Sequence, residues 1–264
     1  MRHSLTLIVL LMLTACSIFT PKNEKSTSAL ADSAEGVYAQ AMEQMNSANY
    51  PGAIKLFETL QSRYPYGRYA QQAQIETAYA YYKQNEPESA LSAVERFIKQ
   101  YPNSQHVDYA YYLKGLVNFD EDLGLFGEGF QPDVSERNPK APREAFDAFK
   151  DLVTRFPNSK YAADSKLRMQ YLVNALARHE TQVARYYLRR GANIAAVNRA
   201  NGVLIEFPQA PATREALQIM VQAYDAMGLK DLRDDSQRVL DKNLAKDGTK
   251  PAVNPLPWWK FWKS

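Results

Sequence analysis

The sequence predicts an all-α chain: a right-handed solenoid of about five stacked helix hairpins, preceded by a signal peptide and flanked by flexible N- and C-terminal segments. Three observations carry that expectation. Four apolar-periodic stretches end in an aromatic residue followed by Pro, at Tyr64-Pro65, Tyr101-Pro102, Phe156-Pro157 and Phe207-Pro208. Pro cannot continue a helix, and it pushes the residue before it out of the α region, so each pair is a helix stop. Twelve residues before each Pro stands an Ala (Ala53, Ala90, Ala145, Ala196), and eight before stand Phe57, Val94, Phe149 and Ala200. The Ala spacings are 37, 55 and 51 residues, a unit in the mid-thirties with insertions. That period belongs to helix–turn–helix repeats, which stack because neither helix can bury its apolar stripe alone.

The elements follow in order. Helices at 34–48 and 51–63 form the first pair, and 70–84 and 87–100 the second. A third pair, 105–120 and 141–155, is interrupted by an insertion. A long stretch, 160–190, with a break expected near Arg178-His179-Glu180, precedes a helix at 193–206. The last pair, 211–227 and 230–244, turns at Gly228 and lacks the Ala–aromatic pattern, as terminal repeats often do. The insertion, Asp122 to Pro139, holds Gly124, Gly127 and Gly129 but follows no strand, and its spacing fits no phosphate motif. A surface loop presenting Leu125, Phe126 and Phe130 is the better reading. The small repeat positions have a geometric reason: antiparallel helices cross closely only where Ala or Gly allows it.

Composition narrows the function. Over 264 residues the net charge is +3, which disfavours general nucleic-acid binding. One Cys excludes an internal disulfide, and three His residues leave little for a zinc site or a nucleophilic triad. Composition therefore disfavours an enzyme, and no cofactor or metal is expected. A periplasmic enzyme using the repeats as an accessory would lack room, because the repeats consume the chain.

The first residues read as an address. Arg2 and His3 precede nine largely apolar residues, Leu5 to Leu13. That run is too short to cross a bilayer of about 30 Å and fits a secretory signal. Leu13-Thr14-Ala15-Cys16 resembles the bacterial lipobox, which implies cleavage before Cys16, acylation of that residue and anchoring by lipid; the alternative is an ordinary signal peptide with a chance Cys. Ser17, where the enteric sorting rule would place Asp for inner-membrane retention, points to the outer membrane. The expected organisation is thus a signal peptide at 1–15, a lipidated polar tether at 16–32 and a solenoid at 33–244. The solenoid comprises N-terminal repeats at 33–121, the insertion loop at 122–140 and C-terminal repeats at 141–244. A Trp-rich tail covers 245–264. Trp258, Trp259 and Trp262 are the chain's three tryptophans. Interleaved with Lys260 and Lys263, they suit a lipid interface, a protein groove or a return onto the last helix pair.

The repeat pattern resembles the tetratricopeptide repeat (TPR), whose small position falls on Ala41 and Ala78, its conserved Tyr on Tyr81 and its turn residue on Tyr50. A lipobox, about five such units and the run Ala195-Ala196-Val197-Asn198-Arg199-Ala200-Asn201-Gly202 together resemble the BamD family of TPR lipoproteins, also called competence lipoproteins, of the outer-membrane β-barrel assembly machinery. The resemblance covers residues 16 to about 244. It implies a non-enzymatic, periplasm-facing protein of the outer membrane that helps insert barrel proteins. Its implied partners are a POTRA domain of the barrel insertase (BamA), docked through the C-terminal repeats, other lipoproteins of the same complex, and the C-terminal signals of unfolded barrel proteins. The competing reading is another periplasmic TPR lipoprotein coordinating cell-envelope or cell-wall synthesis.

In TPR units the first helices line the concave face. On that register Tyr38, Met42, Met45, Ile75, Tyr79, Tyr82, Tyr109, Tyr112, Leu116 and Phe119 form one candidate peptide-binding groove, aromatic and Met-rich with few charges. Some of the ten would instead be inter-repeat core. Arg185 and Arg189 share a helix face at i and i+4. With Arg199, in the matched run, they are candidate partner contacts, together with Trp258, Trp259 and Trp262. An Arg there offers a planar fork to a partner carboxylate.

Overall fold

The computed structural model describes residues 33–123 and 139–247; the lipobox and Cys16, most of the insertion, and the tail with its three tryptophans lie outside them. The described residues hold ten helices and no strand. In the first unit these are α1 (Ala34–Asn46), α2 (Tyr50–Arg63), α3 (Arg68–Lys83) and α4 (Pro87–Gln100). In the second they are α5 (Val107–Leu123), α6 (Lys140–Arg155), α7 (Ala162–Arg189), α8 (Asn193–Glu206), α9 (Thr213–Ala226) and α10 (Lys230–Asp247). Within each unit every helix packs on its sequence neighbour, and α1 also touches α3, and α7 touches α9. Chain-order neighbours in contact, with first helices touching first helices, are the packing of stacked hairpins.

The four aromatic–Pro stops are one structure repeated. Tyr64, Tyr101, Phe156 and Phe207 are the C-caps of α2, α4, α6 and α8, with φ near −130° and ψ between 51° and 66° in all four. Each donates its N–H to the carbonyl four residues back, on Leu60, Phe97, Leu152 and Val203, at 2.8 to 2.9 Å. The following Pro forbids the α conformation at the cap, so the helix closes its last bond and the chain leaves extended. The repeated Ala positions 53, 90, 145 and 196 are fully buried, as are Phe57, Val94, Phe149 and Ala200. So are the four residues whose carbonyls accept the cap bonds, and Ala41 and Ala78 on the first helices. The repeat read from spacing is therefore the repeat of core positions.

Turn chemistry completes the hairpins. Ala48, Asn85, Gly191 and Gly228 have φ of 57°, 59°, 74° and 72°, one in each short turn between paired helices. The starts are specified locally: Ser33 accepts from the Gly36 N–H and Asn49 from the Gly52 N–H, with Pro51 and Pro87 in the first turns of α2 and α4.

One expectation is corrected. No break occurs near residues 178–180: α7 runs unbroken for 28 residues, about 42 Å at 1.5 Å per residue. The stretch contains neither Gly nor Pro, and Ala175, Leu176, Ala177, Thr181 and Ala184 keep its buried face continuous through the expected break. The chain divides into two compact units after Tyr101, at the second stop. The insertion joins α5 to α6, which pack on each other, so it is internal to the second unit.

Candidate functional site

The first unit brings part of the expected aromatic surface together. Tyr38, Met42, Tyr69, Tyr79 and Tyr81 are half-buried around a core of Val37, Ala41, Met45, Ala53, Phe57 and Leu60. Tyr38 leans on Phe57 and Tyr69, with ring centroids 5.9 and 5.5 Å away. Burial, then the nearby Glu76 carboxylate, push its phenol up to about 12. Burial likewise raises the Glu76 carboxyl above its ordinary value. Tyr79 and Tyr82, three residues apart on α3, pair at 6.1 Å and keep part of their surface open. Met45 and Ile75 do not belong to a groove surface: they are 8% and 3% exposed, because their phase on α1 and α3 points them inward.

In the second unit the α5 residues are mostly structural. Tyr112 stacks on Tyr161 at 4.6 Å with planes 16° apart, and its hydroxyl donates to Asp164 Oδ2 at 2.7 Å. The same Asp164 oxygen accepts from Arg168 Nε at 2.6 Å, and the Arg168 guanidinium lies 4.9 Å over the Phe119 ring. Phe119 is 3% exposed in a cluster with Ala145, Phe149 and Leu172, and Leu116 packs against it. Tyr112 and Phe119 therefore fasten α5 to α7; Tyr112 stays half-buried, while Phe119 is closed to a peptide. Tyr109 is half-buried beside Tyr161 at 5.5 Å.

The Arg residues are engaged within the chain. Arg199 Nη1 on α8 donates to Glu180 Oε2 on α7 at 3.0 Å. The other oxygen, Glu180 Oε1, faces Arg143 Nη2 of α6 at 3.5 Å, and Arg143 Nη1 donates to Glu206 Oε2 of α8 at 3.1 Å. Three helices thus share a four-residue chain of alternating charge. Its inner member is Glu180, with a side chain 13% exposed, and its outer end is Arg199, at 49%. Arg185 pairs with Glu215 of α9, and Arg189 is exposed in the last turn of α7. Sequence reasoning had no signal for Arg143 or Glu180, which lie 56 and 19 residues from Arg199. On α8 the outward stripe carries Ile194, Asn198, Asn201 and Ile205, all exposed.

Among the described residues no group of three or more His, Cys, Asp or Glu is placed to hold a metal, and no helix is long and apolar enough to cross a membrane. The fold is a helical-repeat scaffold whose distinctive surface is aromatic in one unit and Arg-bearing in the other. The family described as "YfiO: Outer membrane lipoprotein" matches residues 30–239. The outer membrane protein assembly factor BamD of Neisseria meningitidis serogroup A is 44% identical over 98% of both chains. That of Xylella fastidiosa strain Temecula1 is 38% identical over 97% of this chain and 85% of its own. A solved structure, a crystal structure of MamA, is 17% identical and superposes over 78% of this chain and 94% of its own with a TM-score of 0.39. The chain belongs to the YfiO/BamD family of outer-membrane lipoproteins. It is a component of outer-membrane protein assembly, located at the outer membrane, and not an enzyme.

Proposed function

We propose that the chain is the periplasm-facing TPR scaffold of the barrel assembly complex, docking on a POTRA domain of the insertase through its C-terminal unit. It is held at the membrane by acylated Cys16. The observation that carries the docking reading is Arg199: it lies in the family-like run 195–202, and half its side chain remains open beyond its bond to Glu180. An exposed single charge tolerates change, whereas an Arg facing a partner carboxylate does not, and charge reversal costs more than truncation. The test is pull-down of the insertase's periplasmic domains by wild type, Arg199→Ala and Arg199→Glu at low and moderate salt. Graded loss, worst for Glu, supports the reading; equal recovery for all three removes it.

The first unit receives the C-terminal signal of unfolded barrel proteins. The half-open Tyr79–Tyr82 pair, with Tyr38 and Met42, supports this, since such a signal is an extended segment that presents alternate side chains. Other lipoproteins of the complex complete its partners, and Trp258, Trp259 and Trp262 supply a further contact outside the described residues. Anchoring is tested by Cys16→Ala, which should abolish palmitate labelling and release the protein from the outer-membrane fraction.

A further inference from the structure

We propose that Glu180 and Arg143 form a hand-over pair: Glu180 is an internal competitor for Arg199, and Arg143 is the second cation that takes Glu180 over when Arg199 turns to a partner carboxylate. This rests on the docking reading above. Glu180 is mostly buried and must stay paired, because a buried carboxylate without a partner costs far more than an exposed one. Each of its oxygens faces a different guanidinium, Arg199 from α8 at 3.0 Å and Arg143 from α6 at 3.5 Å. Arg199 can therefore leave while Glu180 keeps a cation. With two Arg and two Glu the chain of charges is neutral, so Glu180 also cancels the charge that would attract an acidic partner.

The arrangement makes docking weaker than Arg199 alone would give, and readily reversible. It also gives two residues that never touch the partner opposite effects. Removing the Glu180 charge frees Arg199 and strengthens docking. Removing Arg143 leaves Glu180 with Arg199 alone, tightens the internal pair and weakens docking. Where both are removed the competitor is gone, so the Arg143 defect disappears. A role limited to stabilising the three helices would weaken docking in both single variants and more in the double.

The experiment measures the affinity of the insertase's periplasmic domains for the full chain and for Arg199→Ala, Glu180→Gln, Arg143→Ala and Glu180→Gln/Arg143→Ala. Circular dichroism checks each fold. Glu180→Gln should tighten binding and Arg143→Ala weaken it, each by about threefold, the scale of a partly exposed ion pair. The double variant should bind at least as well as wild type. Loss in Arg199→Ala with no gain in Glu180→Gln, or with an additive defect in the double, overturns the hand-over and leaves the docking site standing. Unchanged binding in Arg199→Ala removes the docking reading itself. If Glu180→Gln does not fold, the Arg143→Ala arm decides together with its denaturation midpoint: weaker docking at wild-type stability supports the hand-over, and unchanged affinity, or a loss that goes with lost stability, overturns it.

Discussion

Gly115 on α5 and Phe149 on α6 approach so closely that a Cβ placed on the glycine would stand 2.3 Å from the phenyl Cε1 and under 2.8 Å from two further ring carbons. Phe149 is fully buried, and its ring also meets Tyr112 and Phe119. The glycine is therefore the crossing point that lets the helices flanking the insertion pack on each other.

Gly115→Ala should push the Phe149 ring off its site and destabilise the second unit by about 2 kcal/mol, as overpacking does. Chemical denaturation reads this directly. A gain in stability, as expected for Gly→Ala on an open helix face, would refute the close crossing.

Gly191 carries φ of 74° in the turn between α7 and α8, with nothing within 4 Å of a built Cβ. Gly191→Ala therefore tests backbone strain alone. A loss of about 1 kcal/mol is expected, with helicity unchanged and a melting temperature lower by a few degrees. Gly202, equally open but within α8, should behave oppositely: Gly202→Ala is neutral to stabilising.

Tyr112 should titrate late. Burial first, then its bond to Asp164, push its phenol up to about 12, against the opposing pull of Arg168. An unfolded Tyr loses its proton near pH 10, so the native state holds more protons between about pH 10 and 12, and stability falls with rising pH across that window. Tyr112→Phe removes this contribution. Denaturant midpoints of wild type and Tyr112→Phe should converge as pH rises from 9 to 11.5, and parallel pH profiles would argue against it.

Tyr79→Ala with Tyr82→Ala should weaken binding of aromatic C-terminal barrel peptides by tenfold or more if both are anchors, about 1.4 kcal/mol or greater, with the helical spectrum retained. Tyr112→Ala is the contrasting variant, because it cuts the tie between α5 and α7 and lowers stability first. Peptide affinity unmoved by the Tyr79/Tyr82 pair, in a folded protein, would take the signal site away from α3.

The repeat was legible because its signals are local and chemical. An aromatic before Pro can close a helix in few ways, and all four stops do it with the same dihedral angles. The site was less legible. Tyr79 and Tyr112 look alike in sequence, both on first helices at aromatic-rich positions. What marks Tyr112 out is Asp164 and Tyr161, about fifty residues beyond it, which bond to its hydroxyl and stack on its ring. Helical phase does show Met45 and Ile75 to be core, but only once the neighbouring helices fix which face points inward. The Arg143–Glu180–Arg199 chain depends on three helices meeting, and no spacing rule reaches across 56 residues. The expected break at 178–180 failed for the same reason: a polar triplet reads as a turn until its carboxylate has partners on two other helices.

The unbroken α7 has a consequence for how insertions would be tolerated. Asp164, tied to α5, and Glu180, tied to α6 and α8, sit on one rigid rod with no joint between them. Their angular offset is set by residue count alone, at about 100° per residue. A single Ala inserted near Asn174 would leave the Asp164 end seated and swing Glu180 away from both guanidiniums, whereas the same insertion in a turn between hairpins would be absorbed. The helix works as a dial whose setting is written in its length.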